Sequence, residues 1–183
     1  MGKIIASEMI TLDGYFSGPN GETDWFRWDK DTDRETFGML THTDCLLLGH
    51  ETYTVLSGYW PTATEEDPEY IQRINGLKKL VVSNQGPALV WNAERLEASN
   101  DEELLNKISK LKSDKNLLIF GSGMLVTLLS GRGLIDEYRL FINPIILGSG
   151  KLLFGNTASR SNLELTDTKV FGNGVELLEY SST

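Results

Sequence analysis

The chain has 183 residues, 40% of them hydrophobic and 23% charged, a composition typical of a globular domain that can bury a full core. Its formal net charge of −9, from 17 basic and 26 acidic residues, excludes nucleic acid and anionic membrane surfaces as expected partners, because both would be repelled. One cysteine and two histidines exclude an intramolecular disulfide and leave no expected metal site. No apolar run reaches signal-peptide length or the ~20 residues of a membrane span, so a cytoplasmic protein is expected.

Strand and helix patterns alternate along the chain. Apolar or β-branched runs predict strands at 3–10, 44–49, 78–83, 116–121 and 136–147. Capping residues and apolar periodicity predict helices at 31–40, 50–58, 67–77, 99–114 and 124–133. An Asn-Gly turn signal lies between two final strand patterns and predicts a hairpin over 163–171 and 175–181. The stretch 59–67 is predicted to be an acidic surface loop.

This order of elements predicts a single α/β domain over residues 1–183. Its central sheet is expected to be mostly parallel, with helices on both faces and the antiparallel C-terminal hairpin at its edge. Ligands of such sheets bind outside the carboxyl ends of the strands. The residues that follow each predicted strand are therefore the first candidates for a functional site.

The stretch LLIFGSGMLVTLL at 117–129 leads from an apolar strand through a glycine turn into a helix. Glycines let a ligand approach the backbone closely, and the N–H groups and positive dipole end of the helix attract an anion. The dinucleotide-binding fingerprint would require a third glycine at position 126, where Val126 stands. Two interpretations stay open, a phosphate cradle and a plain strand-to-helix turn with Ser122 as its cap.

Two other predicted strands end in comparable residues. Gly49 closes one strand, and a helix that starts near His50 would offer its N–H groups together with the Thr52 hydroxyl. Ser83 and Asn84 follow another strand and could hold a ribose or its phosphate. Each exit alone is also compatible with an ordinary turn or polar loop. Together, the three exits would share one edge of the sheet and could hold an extended dinucleotide.

The segment after the first predicted strand could cover a flat ring. Asp13-Gly14 favours a turn there, and Tyr15 and Phe16 offer apolar surface. A plain surface turn is the alternative interpretation. The Gly-x-Gly at 148–150 has no clear helix start behind it and is interpreted as a turn between strands.

The cluster DWFRWDKDTD at 24–33 combines aromatic and acidic residues. Trp25 and its aromatic neighbours could line a pocket, and Asp33 could present a carboxylate to a substrate. Aromatic residues of this kind are more often part of the core, and such acids are more often solvated.

Several motifs occur along nearly the whole chain in an order that resembles a known superfamily. They are Leu12-Asp13-Gly14, Gly49-x-x-Thr52, Ser83, Phe120-Gly121-Ser122-Gly123, and Pro144 followed by Leu147-Gly148-Ser149-Gly150 and Leu153-Phe154. In these motifs the chain resembles the dihydrofolate reductase-like superfamily. It is most similar to the reductase domain of the bacterial riboflavin-biosynthesis deaminase/reductase and its stand-alone relatives.

The resemblance implies an NADPH-dependent reductase that transfers hydride to a pyrimidine- or pterin-like substrate, such as 5-amino-6-(5-phosphoribosylamino)uracil. The residues that it implies at the cofactor are Gly49, His50, Thr52, Ser83, Asn84, Gly121, Ser122, Gly123 and Met124. The resemblance also implies homodimers.

The same resemblance assigns the substrate side of the site. The candidate catalytic residues are Asp33, which would orient or protonate the substrate, and Asp13, on a loop that would act as a lid. The candidate substrate contacts are Tyr15, Trp25 and Phe37.

The chain departs from the superfamily pattern at His50, where dihydrofolate reductases commonly place a basic residue that grips the 2′-phosphate of NADPH. Histidine carries less positive charge near neutral pH than arginine or lysine, and Ser83, Asn84 and Lys79 are the residues that could compensate. Around Asp33 the residues KDTDRETF match the dihydrofolate reductase pattern poorly, so a non-catalytic nucleotide- or ligand-binding domain of the same fold is an open alternative. A transferase is disfavoured, because the third glycine and a catalytic His, Cys or metal cluster are missing.

Overall fold

The computed structural model describes residues 2–155 and 160–183. The strands in these residues are β1 (Ile4–Thr11), β2 (Tyr15–Ser17), β3 (Cys45–Gly49), β4 (Lys78–Val82), β5 (Ala93–Leu96), β6 (Leu117–Phe120), β7 (Glu137–Asn143), β8 (Lys151–Leu152), β9 (Leu163–Val170) and β10 (Glu176–Ser182). The α-helices are α1 (Lys30–Thr41), α2 (His50–Tyr59), α3 (Pro68–Gly76), α4 (Asp101–Lys112) and α5 (Gly123–Ser130), and a short 3₁₀ helix covers Trp60–Thr62.

The main sheet has eight strands in the order β5-β4-β3-β6-β1-β7-β10-β9. The six strands from β5 to β7 are parallel, and β10 runs antiparallel to both β7 and β9. The expected mostly parallel sheet with an antiparallel C-terminal hairpin is confirmed. The turn of that hairpin contains Asn173 and Gly174, and the positive φ of 86° at Gly174 explains the need for glycine.

Local sequence explains why the helices begin where they do. Asp29 caps α1 by accepting hydrogen bonds from the backbone N–H groups of Asp31 and Thr32, and Asn100 caps α4 in the same way. Asp67 caps α3, whose first residue, Pro68, has no N–H group to leave unpaired.

Helices cover both faces of the sheet, as expected. Alternate residues of β1 point to opposite faces, with Ile4, Ala6 and Ile10 in a core cluster that includes α4 and α5. Ile5 and Met9 belong to the second cluster, which includes residues of α1, α2 and α3. The central strands are therefore apolar on both faces, as the continuous apolar runs predict.

The structure differs from the predicted elements in three places. β5 was not predicted, because Ala-Glu-Arg-Leu at 93–96 is a short, polar, half-buried strand at the edge of the sheet. The strand predicted at 136–147 ends at Asn143, since Pro144 has no N–H group for a ladder hydrogen bond. The loop predicted at 59–67 begins with the end of α2 and the 3₁₀ helix. None of the helices in the described ranges is long and apolar enough to cross a membrane.

Candidate functional site

The predicted strand exits lie side by side. β4, β3, β6 and β1 are consecutive parallel strands, so Ser83, Gly49, Gly121 and Leu12 follow neighbouring strands at one edge of the sheet. This is the carboxyl edge, where ligands of open parallel sheets bind. The expectation that these exits share one edge is confirmed.

At the exit of β6, two left-handed residues turn the chain into α5. Gly121 has a φ of +72° and Ser122 a φ of +83°, and the Ser122 side chain makes no capping hydrogen bond. Ser122 therefore occupies the predicted N-cap position of α5, but its side chain does not cap the helix. In the described parts of the chain, no acceptor is paired with the backbone N–H groups of Ser122, Gly123 and Met124. These groups can donate to an anion.

A second helix starts beside this turn. Gly49 precedes α2 and makes no side-chain cap, so no side chain caps the first N–H groups of this helix. A Cβ atom on Gly49 would lie 2.5 Å from Ser122 Oγ, so the two turns approach each other closely at this glycine. The N-termini of α2 and α5 therefore converge, and their dipoles favour a negative group at the same place.

Thr52 and Met124 complete this part of the edge. A Cβ atom on Gly121 would lie 3.1 Å from Thr52 Cγ2, so the Thr52 side chain reaches the turn after β6. The Met124 side chain is 69% exposed at the start of α5. We refer to the convergent turns at 49–52 and 121–124 as the glycine edge.

The segment after β1 is tied to a distant loop. Asp13 accepts hydrogen bonds from the Thr11 hydroxyl at 2.6 Å and from the backbone N–H groups of Leu147 and Gly148 at 3.1 and 2.8 Å. These donors, the Thr11 hydroxyl first, lower the pKa of Asp13 to about 2. Asp13 is thus an ionised anchor, and its contacts do not favour the expected catalytic role.

The two segments that Asp13 joins form a small flap. β2 pairs with β8 in an antiparallel two-stranded sheet, and the Leu153 N–H donates to the Gly14 carbonyl. The interpretation of 147–154 as a simple turn was incomplete, because part of it is this partner strand. A Cβ atom on Gly123 would lie 2.4 Å from the Phe16 ring, so the flap rests directly on the start of α5. A Cβ atom on Gly150 would lie 3.1 Å from the Tyr15 ring, so this ring lies beside the residue that precedes β8.

The residues at the exit of β4 are held by protein contacts. Ser83 Oγ donates to the Gln85 carbonyl at 2.6 Å and accepts from Arg95 Nη1 at 3.0 Å. The Asn84 side-chain amide exchanges two hydrogen bonds with the backbone of Ala98. Both predicted cofactor contacts therefore already have partners that shape this loop.

Arg95 was missed by the sequence analysis, because it lies on the unpredicted strand β5. Its guanidinium also donates to the carbonyls of Gln85, Gly86 and Pro87. A Cβ atom on Gly86 would lie 3.4 Å from His50 Cε1, so this loop adjoins the start of α2. Arg95 and His50 are thus basic residues at this end of the glycine edge.

Lys79 does not compensate for His50 in the expected way. Its side chain is fully buried, and the ammonium group donates to the carbonyls of Ile74 and Asn75 and lies 3.9 Å from the centre of the Trp91 ring. Burial lowers the pKa of Lys79 to about 8. This lysine therefore belongs to the packing between α3 and the sheet.

Asp33 and Phe37 lie one helical turn apart on α1, beside aromatic residues from other elements. The Phe37 ring is 5.9 Å from that of Tyr70, which stacks on Trp60 at 4.9 Å. Burial and the charges of Glu66 and Asp29 raise the pKa of Asp33. We define the acidic aromatic face as Asp33, Phe37, Tyr59, Trp60, Glu66 and Tyr70.

Trp25 is separated from solvent. Only 9% of the residue is exposed, and its ring contacts Phe26 edge-on at 4.6 Å. Its indole nitrogen is buried without a hydrogen-bond partner among the described residues. A substrate contact through Trp25 stays a prediction.

Glu8 is a buried acid beneath the glycine edge. It is 5% exposed on β1, and its Oε1 has no hydrogen-bond partner within the residues that the structure describes. The register pairs Ser7 with Phe120, so Glu8 is level with Gly121. Burial raises the pKa of Glu8 to about 8. The signal in the sequence was the single acid inside the apolar run IIASEMI.

No group of three or more His, Cys, Asp or Glu side chains that could hold a metal ion occurs within 2–155 and 160–183. The chemistry available at the edge of the sheet therefore comes from main-chain donors, two basic side chains and the acids described above.

Solved structures of similar fold include several reductases. A pyrimidine reductase-like protein from Corynebacterium diphtheriae superposes with a TM-score of 0.73 at 16% identity, over 100% of this chain and 92% of that one. Dihydrofolate reductase from Enterococcus faecalis, complexed with NADP(H), has a TM-score of 0.65 at 12% identity, over 100% and 97% of the two chains. A diaminohydroxyphosphoribosylaminopyrimidine deaminase/5-amino-6-(5-phosphoribosylamino)uracil reductase from Thermotoga maritima has a TM-score of 0.67 at 15% identity, over 100% of this chain and 57% of that one. These likenesses establish a dihydrofolate reductase-like fold.

Sequence comparison shows the family. An uncharacterized protein of Bacillus subtilis (strain 168), YyaP, is 33% identical over 97% of this chain and 94% of its own length. The RibD C-terminal domain family matches residues 2–177. The resemblance drawn from the motifs is confirmed: the chain belongs to the RibD C-terminal domain family of reductase-like proteins.

Proposed function

We propose that the protein is an NADPH-dependent reductase that transfers hydride to a pyrimidine- or pterin-like substrate. The observation that carries this proposal is the convergence of two helix N-termini without side-chain caps at the carboxyl edge of the sheet, where the N–H groups of Ser122, Gly123 and Met124 are unpaired within the described residues. Such an arrangement fits the pyrophosphate of a dinucleotide. The structural likeness to a dihydrofolate reductase complexed with NADP(H) supports the same cofactor class.

The residues of the glycine edge would hold the cofactor. The N–H groups of Ser122, Gly123 and Met124 on one side, and the start of α2 with the Thr52 hydroxyl on the other, would donate to its phosphates. Gly49 and Gly121 would keep the two turns close enough to act on one group. Ser83 and Asn84 would shape the loop at the ribose end, with Arg95 fixing that loop.

Bound NADPH would supply the hydride, and the chain would position the substrate against it and exclude water. Asp33 would orient or protonate the substrate, because its carboxylate makes no hydrogen bond within the described residues and its pKa is raised. Asp13 would act as a positioning residue that holds the flap closed over α5. Tyr15 and Phe37 would contact the substrate ring from the flap and from α1.

A non-catalytic nucleotide-binding domain of the same fold is the second candidate. It is favoured by one observation, the complete engagement of the Asp13 carboxylate, which leaves Asp33 as the single remaining proposed catalytic acid. This candidate predicts that NADPH binds and that no pterin or pyrimidine oxidises it.

The test is a titration of the purified protein with NADPH and, separately, NADH. Tryptophan quenching and energy transfer to the nicotinamide report binding. We expect micromolar affinity for NADPH and weaker binding of NADH. Failure of both dinucleotides to bind would contradict the proposal, and binding without turnover of any pterin or pyrimidine would favour the second candidate.

We also propose that the protein forms homodimers through the edge of the sheet that ends in β9. Seven of the eight residues of this strand are exposed, and they include Leu165 at 52% and Val170 at 76%. An exposed edge strand with apolar side chains favours pairing with a second copy. Light scattering after size-exclusion chromatography should give twice the monomer mass, and Leu165→Lys should reduce it to the monomer mass.

A further inference from the structure

Four helical elements, α1, α2, the 3₁₀ helix and α3, bring aromatic rings together on the acidic aromatic face. Tyr59 contacts Trp60 edge-on at 5.2 Å, Trp60 stacks on Tyr70 at 4.9 Å, and Phe37 extends the cluster from α1. Tyr59 is 47% exposed. The cluster therefore offers planar apolar surface at a place that solvent reaches.

The Tyr70 hydroxyl lacks a partner on this face. The residue is only 7% exposed, yet its hydroxyl makes no hydrogen bond to any described residue. Burial first, and then the negative charges of Asp33 and Glu66, raise the pKa of Tyr70, so both acids lie near this residue. The hydroxyl oxygen is not among the fully buried polar atoms without a partner, so a ligand can reach it. The Tyr70 hydroxyl is thus positioned to hydrogen-bond a bound ring.

The charged side chains that act on Asp33 and Tyr70 are all negative. Glu66 and Asp29 act on Asp33, and Asp33 and Glu66 act on Tyr70. Glu66 also accepts a hydrogen bond from the Tyr59 hydroxyl at 2.5 Å, which holds its carboxylate at the aromatic cluster.

Two arginines on the neighbouring helices have other partners. Arg34 pairs with Asp31 at 3.0 Å on the exposed side of α1. Arg73 of α3 donates to the carbonyls of Leu40, Thr41 and Thr43 at the end of α1. Neither guanidinium is therefore placed to compensate the negative charge of the face.

We propose that the acidic aromatic face receives a planar heterocyclic substrate that is neutral or cationic and carries N–H donors, and that it rejects phosphorylated substrates. The proposal rests on the proposed reductase function, of which this face would be the substrate side. Aromatic rings with nearby carboxylates attract cations and N–H donors and repel phosphate. In this respect the chain would differ from the Thermotoga maritima protein, whose name specifies a phosphoribosylamino substrate.

The test compares neopterin with neopterin 3′-phosphate, two ligands that differ only in the phosphate group. Isothermal calorimetry on the full chain should show neopterin binding about tenfold more tightly at low salt. In 0.5 M salt this ratio should shrink towards one, because salt screens charges at a solvent-accessible face.

Three variants sharpen the test. Asp33→Asn combined with Glu66→Gln should bring the ratio of the two affinities closer to one, because the double variant lacks the two carboxylates that repel phosphate. Tyr70→Phe should weaken the binding of neopterin severalfold and leave the ratio of the two affinities unchanged. Glu69→Gln is the matched control, since Glu69 is exposed on the same helix as Tyr70 and does not act on Asp33 or Tyr70.

The outcomes separate this inference from the proposed function. Equal or tighter binding of the phosphate by the wild type, or an unchanged ratio in the double variant, would overturn the inference. Absence of neopterin binding in a protein that binds NADPH would also overturn it and leave the NADPH-binding part of the proposed function standing. Absence of NADPH binding would overturn both.

Discussion

The glycine edge and the acidic aromatic face lie in the same α/β domain and are built in opposite ways. The glycine edge presents main-chain N–H groups at the starts of α2 and α5, so its potential is positive. The acidic aromatic face presents side chains of α1, α3 and the intervening segment, and carboxylates dominate it. The difference indicates two ligands of different charge, an anionic dinucleotide on one region and an uncharged or cationic ring on the other.

The two regions should also respond differently to amino-acid substitutions. At the glycine edge the backbone itself would bind the proposed ligand, so an added Cβ atom is enough to disturb the site. On the acidic aromatic face, the proposed binding groups are the ends of side chains, which can be exchanged without moving the backbone. Substitutions should therefore have steric effects in the first region and electrostatic effects in the second.

Glu8 is the exception in this comparison, because it places a carboxyl beneath a region that collects hydrogen-bond donors. Its folded pKa of about 8 lies above the unfolded value of 4.5. The native state therefore holds a proton that the unfolded state releases, and stability is lost as the pH rises towards 8. Between pH 6 and pH 9 we expect the wild type to lose about 3 kcal/mol of unfolding free energy through this group.

Urea denaturation across this pH range measures the effect. Glu8→Gln should remove this loss, because the amide has no proton to release. Glu164→Gln, on the exposed strand β9, is the control and should behave as the wild type. A parallel pH dependence in the wild type and in Glu8→Gln would contradict the prediction.

The contact between Gly49 and Ser122 offers a rescue experiment at the glycine edge. Gly49→Ala should lower NADPH affinity at least about tenfold, because its Cβ atom would displace Ser122 Oγ and separate the two turns. Adding Ser122→Gly should restore binding, since it removes that oxygen and suits the positive φ at this position.

Gly58→Ala serves as the matched control for this pair. Gly58 lies on α2 as well, and a Cβ atom there would meet nothing within 4 Å. Fluorescence titration should show unchanged affinity for this variant. If Gly49→Ala binds NADPH as well as Gly58→Ala does, the close approach of the two turns is not needed for the cofactor.

The Asp13 anchor should have a smaller effect. Asp13→Asn weakens the hydrogen bonds to the N–H groups of Leu147 and Gly148, so these amides should exchange faster with deuterium. NADPH affinity should fall severalfold as the flap loosens. Asp24→Asn, an exposed acid of the following loop, is the control.

The pH dependence of this anchor has the opposite sign to that of Glu8. The folded pKa of Asp13, about 2, lies below its unfolded value of 3.8. Its stabilising contribution is therefore present above pH 4 or so and is lost as the pH falls towards 2. Faster exchange at Leu147 and Gly148 that begins near neutral pH would contradict this assignment.

The smallest effect is expected at Asp33. Because its folded pKa is raised, its ionised form is destabilising, and stability is lost as the pH rises through that pKa. Asp33→Asn should therefore raise the melting temperature slightly at neutral pH. The same substitution should weaken the binding of neopterin. A lower melting temperature in differential scanning calorimetry would show that the carboxylate has a stabilising partner.

Much of the fold could be predicted because its signals are local. The apolar runs of β3 and β6, the Asn173-Gly174 turn and the Asn100 cap each act within a few residues. β5 could not be predicted, since its short polar sequence is held by pairing with β4 rather than by an apolar pattern.

The same division applies to the candidate site. The glycines of the two turns were visible in the sequence, because a tight backbone approach requires glycine at a definite position. The partners of Ser83 and Asn84, the role of Arg95 and the engagement of Asp13 were not visible. Each depends on contacts between residues that are 14, 12 and 135 positions apart in the chain.

The sequence by itself determined the α/β class, the antiparallel hairpin, the exits that form one edge and the resemblance to a reductase family. These follow from periodicity, turn residues and motifs, all of which are read over short stretches. Only the tertiary structure decided that α2 and α5 converge, that Glu8 is buried with no partner for Oε1 among the described residues, and that Asp33 and Glu66 lie near Tyr70. Those properties depend on the order of strands in the sheet and on packing between helices, which bring distant residues into one electrostatic environment.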